Sequence, residues 1–334
     1  MKAMLLSEFR PISASPLALA DLPLPAPGPG EIRVKVSACG VCRTDLHVIE
    51  GDLPSVRLPL VPGHQVVGTV DLRGNGAERF PPGARVGIAW LRHTCGVCSF
   101  CEAGKENLCE TPLFTGYHRD GGFAEYAVVP EAFAYLLPPQ FSDAEAAPLL
   151  CAGIIGYRAL RRADLPPGGR LALYGFGSSA HIVIQLALHR GCEVLVCTRG
   201  ERHRKLALEM GASWAGDDPA GMPVPADSAI LFAPAGELIP PALRALKKGG
   251  TLSLAGIHMS DVPSMKYDEC LFYEKNLRSV TANTRQDGED LLREAAAIPI
   301  RPKVTLFPLE AANRALQMLK ADEIQGTGVL VVAP

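Results

Sequence analysis

A chain of 334 residues has room for two domains with substantial cores, and 48% hydrophobic against 20% charged residues is the balance of a globular protein in water. A formal net charge of −2 gives no electrostatic footing for nucleic acid or an anionic membrane, so neither is expected as a partner. Glu8, Arg10 and Pro11 interrupt the apolar start, and no apolar run reaches about eighteen residues, which predicts a cytoplasmic chain whose spare cysteines stay reduced.

Along the chain, the Pro/Gly-rich stretch 23–30 reads as an exposed turn. β-Branched runs at 32–38 and 66–70, bounded by proline and glycine, predict strands, and Gly83-Ala84-Arg85-Val86-Gly87 turns into another. The first domain therefore reads as mostly β. Ser142-Asp143-Ala144-Glu145 has the form of a capping box and predicts a helix through 163, ended by Pro166-Pro167-Gly168-Gly169. Beyond it, strands at 171–174, 193–198, 228–232 and 251–254 alternate with helices at 179–189, 201–210 and 237–246. That alternation is the pattern of a parallel sheet with helices on both faces. The C-terminal stretch returns to short strands around an amphipathic helix at 310–320 and is expected to rejoin the first domain.

Cys95, Cys98, Cys101 and Cys109 follow the spacing C-x2-C-x2-C-x7-C. Pairs this close would make strained disulfides, whereas four thiolates suit the tetrahedral preference of zinc, with Gly96 and Gly104 letting the backbone wrap the ion. Four thiolates leave no coordination position open, so this ion is expected to hold a lobe in shape and do no chemistry. Backbone N–H groups are expected to point at the sulfurs and offset their charge. A second candidate set, Cys42, His64 and Cys151, has three ligands and leaves a position open. Two zinc ions per chain are thus expected.

Gly175-Phe176-Gly177-Ser178-Ser179-Ala180 follows a predicted strand and opens a predicted helix, the setting in which G-x-G-x-x-A brings backbone against a pyrophosphate. Gly175, Gly177 and Ala180 are the candidate cofactor residues of that turn. A site for NAD normally carries an acid at the end of the next strand. Here Thr198 and Arg199 stand there, with Arg204 close behind, so NADPH is favoured over NADH.

Taken together, Ala38-Cys39-Gly40-Val41-Cys42-Arg43-Thr44-Asp45-Leu46-His47, Pro62-Gly63-His64, the thiolate lobe, Leu149-Leu150-Cys151 and the glycine turn resemble, in order and spacing, the zinc-containing alcohol dehydrogenases of the medium-chain dehydrogenase/reductase family. The resemblance implies an α/β protein with a GroES-like, mostly-β catalytic domain over 1–152, completed by 286–334, and a Rossmann doubly wound parallel sheet over 153–285. It implies a catalytic zinc on Cys42, His64 and Cys151, Asp45 behind His64, and a proton relay through Thr44 and His47, in a cleft between the domains. It further implies alcohol and aldehyde substrates and a homodimer or homotetramer. Two thiolates and a neutral imidazole would cancel the charge of a dication, which fits that chemistry.

Trp90, five residues before Cys95, resembles a large aromatic near that point in family members acting on small alcohols, a resemblance that implies an indole on the pocket wall favouring short, unbranched substrates. The chain departs from the family at Gln65, where glutamate is usual after the histidine, and at Thr327, where many members carry arginine. Two alternatives are a reductase of bulkier, cinnamyl-type aldehydes and a non-catalytic zinc- and dinucleotide-binding redox sensor. A sensor has no use for a proton relay. Cys39 and Cys42 also form a C-x-x-C pair, but that redox motif belongs beside a thioredoxin-like pattern absent here.

Overall fold

The computed structural model describes residues 1–54 and 57–332. They divide into two compact units, one of Met1–Ala152, Ala282–Ala296 and Arg301–Pro334, the other of Gly153–Thr281 and Ala297–Ile300.

The first unit is built on a seven-stranded mixed sheet. Glu31–Gly40 is its axis because it alternates, with Ile32, Val34 and Val36 turned inward. It pairs antiparallel with Gln65–Arg73, with Tyr126–Pro130 and, through its last residues, with Thr327–Val331 near the end of the chain. Arg85–Ile88 and Ala134–Leu136 extend one side, and Val304–Pro308 lies parallel to Thr327–Val331 on the other. Gly68 sits where a Cβ would fall 2.1 Å from the Lys35 carbonyl oxygen, so only glycine lets these two central strands approach. Ile32, Val34, Val66, Val86, Ile88 and Leu330 form the buried centre of this unit. Their burial is what fixes the strand register.

The second unit is a six-stranded sheet in the order Trp214–Gly216, Glu193–Cys197, Arg170–Tyr174, Ala226–Leu231, Leu246–Leu254, Asn276–Ser279. Every neighbouring pair is parallel. Leu171, Ala172, Leu173 and Tyr174 are all buried, the continuous apolar run of a strand covered on both faces. The order reverses at Arg170–Tyr174, and the glycine turn leaves from the end of that strand, the usual binding point of a doubly wound sheet.

Three local differences from the sequence reading have physical causes. The helix expected over 142–163 is broken: the Ser142 capping box forms and starts Asp143–Pro148, a π-helical turn Leu149–Gly153 follows, and Ile154–Ala163 resumes the α-helix. Pro148 cannot donate to the ladder, and the wider turn after it absorbs the mismatch. The strand expected at 251–254 begins at Leu246, and the helix before it is the shorter Ile239–Arg244. Two helices, Arg43–Glu50 and Arg285–Ala297, stand where no helix was expected. No helix among the described residues is long and apolar enough to cross a membrane.

Candidate functional site

Cys42 is the N-cap of the Arg43–Glu50 helix. Its sulfur accepts from Thr44 N–H at 3.3 Å, and Asp45 Oδ2 returns to accept from Cys42 N–H at 2.8 Å, a capping box with a thiol in the place of serine. The other carboxylate oxygen of Asp45 lies 2.9 Å from His64 Nδ1, both side chains 1% exposed. That contact turns His64 Nε2 toward the sulfurs, 3.3 Å from Cys151 Sγ, and Cys42 Sγ lies 3.9 Å from Cys151 Sγ. Cys151 comes from the π-helical turn, and π turns recur at functional positions.

Ligands at about 2.3 Å from a tetrahedral zinc would sit about 3.8 Å apart, and the sulfur separation here matches that edge. The electrostatics agree. Burial works against charge on the His64 ring, but Asp45 and then Cys42 outweigh it and push the ring up to about 10. Cys42 is held well below the usual thiol range, chiefly by the hydrogen bond from Cys151, whose own proton is held tightly in return. The pocket therefore favours positive charge, and a dication held here would displace both the proton between the two sulfurs and the second proton on His64, since ligation needs thiolates and a neutral imidazole.

The second set is equally compact. The donor atoms of Cys95, Cys98, Cys101 and Cys109 all lie within 4.8 Å of one another, and Cys95 Sγ stands 3.9 Å from Cys101 Sγ. Backbone N–H groups of Cys95 and Thr111 point at Cys109 Sγ at 3.3 and 3.4 Å, and that of Cys98 at Cys95 Sγ at 3.3 Å. N–H groups of Cys101 and Glu110 draw the Cys98 thiol down to about 6, favouring thiolate at neutral pH. All four residues suit a tetrahedral ion.

Thr44 is buried, whereas His47, three residues on, is partly open, and its Nδ1 lies 2.8 Å from Asp52 Oδ2. Trp90 meets the edge of His64 at a ring separation of 5.0 Å and stacks on Phe114 at 4.9 Å and Tyr117 at 5.6 Å. These rings pack with Val48, Leu53, Leu58 and Leu60 beside the ligand helix. Tyr117 donates its hydroxyl proton to the Pro54 carbonyl. Phe114, Tyr117 and Asp52 were missed in the sequence, where nothing in their spacing ties them to His64 or His47.

Gln65 is fully buried against Gly40 with neither amide atom paired among the described residues, and Thr327 is buried at the start of its strand. Cys39 is fully buried too, and desolvation pushes its thiol well above the usual range, which works against the thiolate that redox exchange needs.

In the second unit Gly175 takes φ 88°, open to glycine at little cost, and a Cβ there would crowd Ala233. Gly177 is the N-cap of the Ser178–His189 helix, brings no side chain to its first turn, and has nothing within 4 Å of where a Cβ would stand. Ala180 is fully buried, allowing the helix to sit close on the sheet. This cradle fits a phosphate. Thr198 is half-buried and Arg199 exposed at the end of Glu193–Cys197. Arg204 donates to the carbonyls of Thr198 and Arg199 at 3.2 and 2.7 Å and lies 3.4 Å from Asp217, so it braces this loop.

Comparison with known proteins gives the same picture. Residues 28–139 match the family model of the alcohol dehydrogenase GroES-like domain, and residues 179–297 that of the zinc-binding dehydrogenases. The probable alcohol dehydrogenase AdhA of Mycobacterium tuberculosis (strain CDC 1551 / Oshkosh) is 54% identical over 328 residues, covering 96% of this chain and 94% of that protein. An alcohol dehydrogenase of Geobacillus stearothermophilus is 35% identical over 99% of this chain and 98% of its own. Among solved structures, an NAD-dependent alcohol dehydrogenase superposes with a TM-score of 0.91 at 28% identity over 100% of both chains. The cinnamyl alcohol dehydrogenase SbCAD4 of Sorghum bicolor gives 0.90 at 26%, over 99% of this chain and 97% of that one.

Proposed function

This chain belongs to the zinc-type alcohol dehydrogenases of the medium-chain family, and from that premise we propose which of its residues do the work, which cofactor it prefers and what size of substrate it takes. It is a dehydrogenase that interconverts alcohols and aldehydes by hydride transfer to or from a nicotinamide cofactor. The observation that carries the residue assignment is the convergence of Cys42, His64 and Cys151 over the buried Asp45.

Cys42, His64 and Cys151 would hold a catalytic zinc, and Cys95, Cys98, Cys101 and Cys109 a second, structural one. When bound, the catalytic ion supplies a Lewis acid that eases loss of the alcohol proton and polarises the aldehyde carbonyl. Asp45 would hold a proton on His64 Nδ1, so that with an ion bound the Nε2 lone pair is left for the metal. Thr44, anchored by its own N–H on Cys42, takes the substrate proton at its hydroxyl, and His47 passes it to solvent. An alcohol and aldehyde panel, assayed with NADH, NADPH and their oxidised forms, tests the reading; no turnover with any pair would end it.

Residues 1–152 with the C-terminal strands would serve as the catalytic domain and 153–285 as the dinucleotide domain, in a cytoplasmic enzyme. A homodimer or homotetramer is supported by Tyr267, Phe272, Tyr273 and Leu277, exposed around the edge strand Asn276–Ser279.

NADPH is the preferred cofactor in this reading. Glu193–Cys197 is followed by Thr198 and Arg199, so the position that carries an acid for a ribose 2′-hydroxyl in NAD sites is neutral or basic, and the nearby Asp217 is paired with Arg204 at 3.4 Å. With Arg204 committed to the loop carbonyls, Arg199, exposed directly at the strand end, is the residue we assign to the 2′-phosphate. Arg199→Ala should cut the ratio of kcat/KM for NADPH over NADH by on the order of tenfold. An unchanged ratio, or equal use of both cofactors by the parent, counts against the arginine.

Trp90 would bound the substrate pocket beside His64, favouring short alcohols over the bulky aldehydes suggested by the likeness to the sorghum enzyme. Trp90→Ala should raise kcat/KM for benzyl alcohol relative to ethanol by on the order of tenfold. Steady-state kinetics on the two alcohols decide this, and a preference that does not move removes Trp90 from the pocket.

A further inference from the structure

The Arg43–Glu50 helix ends on Gly51 in the left-handed region (φ 81°), and the N–H groups of Gly51 and Asp52 both return to the His47 carbonyl, that of Asp52 at 2.9 Å. This turn folds the chain back over the last helical turn and sets Asp52 Oδ2 2.8 Å from His47 Nδ1. The side chains are 22% exposed for His47 and 47% for Asp52. A pair this open contributes little to stability. Its consequence lies in the ring, because a carboxylate accepts and does not donate, so the nitrogen facing it must carry the proton.

We infer that Asp52 is the positioning residue of the proton relay: it holds neutral His47 as the Nδ1–H tautomer and assigns proton traffic to Nε2. The inference rests on the dehydrogenase reading above. In the oxidation direction the substrate hydroxyl loses its proton to the Thr44 hydroxyl oxygen as the Thr44 proton enters the relay that ends on His47 Nε2. The imidazolium so formed carries both protons, Nδ1–H still on Asp52, and the Nε2 proton then leaves to solvent or buffer. Asp52 stays a carboxylate throughout. Without that acceptor the Nδ1–H tautomer loses its support, and the intrinsic preference of imidazole for a proton on Nε2 works against the nitrogen that must receive one.

The test pairs a spectroscopic readout with kinetics. In the zinc-loaded protein without substrate, ¹⁵N spectra of labelled histidine, with His47 assigned through a His47→Gln variant, should show Nδ1–H in the parent and mainly Nε2–H in Asp52→Ala. Alcohol oxidation by Asp52→Ala should lose on the order of tenfold in kcat with KM held. Asp52→Asn, whose side-chain oxygen can still accept from Nδ1–H, should lie nearer the parent in both. An Nδ1–H tautomer that persists in Asp52→Ala, or a kcat within about twofold of the parent, overturns the inference. A parent without dehydrogenase activity would instead remove the functional reading, and the tautomer would still report on Asp52.

Discussion

Cys42→Ser should lower kcat on the order of a thousandfold or more, the equivalent of several kcal/mol of Lewis-acid stabilisation, while the protein melts close to the parent temperature. Separating the two effects depends on where Cys42 sits. It caps the Arg43–Glu50 helix through its sulfur, and serine is among the best N-caps, so the variant can keep the Thr44 N–H contact and the Asp45 return. It cannot offer a thiolate to the ion. Elemental analysis should read two zinc ions per chain in the parent and one in the variant, the survivor being that of the thiolate lobe. A variant with two zinc ions and parental turnover would sink the assignment, as would a fully active parent with one ion or none.

How much of this was legible depends on whether the information is local. The thiolate lobe could be read because its four ligands lie in fifteen residues, so spacing alone constrains their geometry. The parallel sheet could be read because buried strands such as Leu171 to Tyr174 are continuous apolar runs between helical periods. The Arg43–Glu50 helix was missed since its signal is a capping box with cysteine in the first place, and cysteine is not a residue that pattern normally admits. His64 and Cys151 come from distant parts of the chain, and their meeting could be expected only from the likeness to a family. Trp90 was noticed by its likeness to an aromatic of family members near that point, but the rings stacked on it, Phe114 and Tyr117, gave no sign, because a stacked aromatic and a core aromatic look alike in sequence. The break in the helix near Pro148 was readable in principle, because proline brings no N–H to a helix, but the expected helix ran straight through it to residue 163.

Glu106→Gln should destabilise the first unit by roughly 2 kcal/mol, a drop in Tm on the order of 5 °C for a unit of this size. Glu106 lies within the thiolate lobe, between Cys101 and Cys109, and is nearly buried. Its carboxylate accepts from the backbone N–H of Arg285 at 2.6 Å, from Nε at 3.0 Å and from Nη2 at 2.7 Å, closing the start of the Arg285–Ala297 helix. The guanidinium also lies over Phe133, 4.6 Å from the ring centre. Glutamine keeps the volume but turns an N–H₂ group toward a guanidinium, donor against donor, and Arg285 loses the carboxylate that accepts from its Nε and Nη2. Half-exposure of the arginine is why the cost stays below that of a wholly buried pair. An ion on the four thiolates would couple to this helix through the clamp, because it would draw together Cys101 and Cys109 on either side of Glu106. Cys98→Ser and Glu106→Gln should therefore be strongly non-additive, the double variant melting little below Cys98→Ser alone. Melting curves of the parent, the two single variants and the double complete the cycle. Additive losses would mean that the lobe keeps its shape without its metal, contrary to a structural role for the four thiolates.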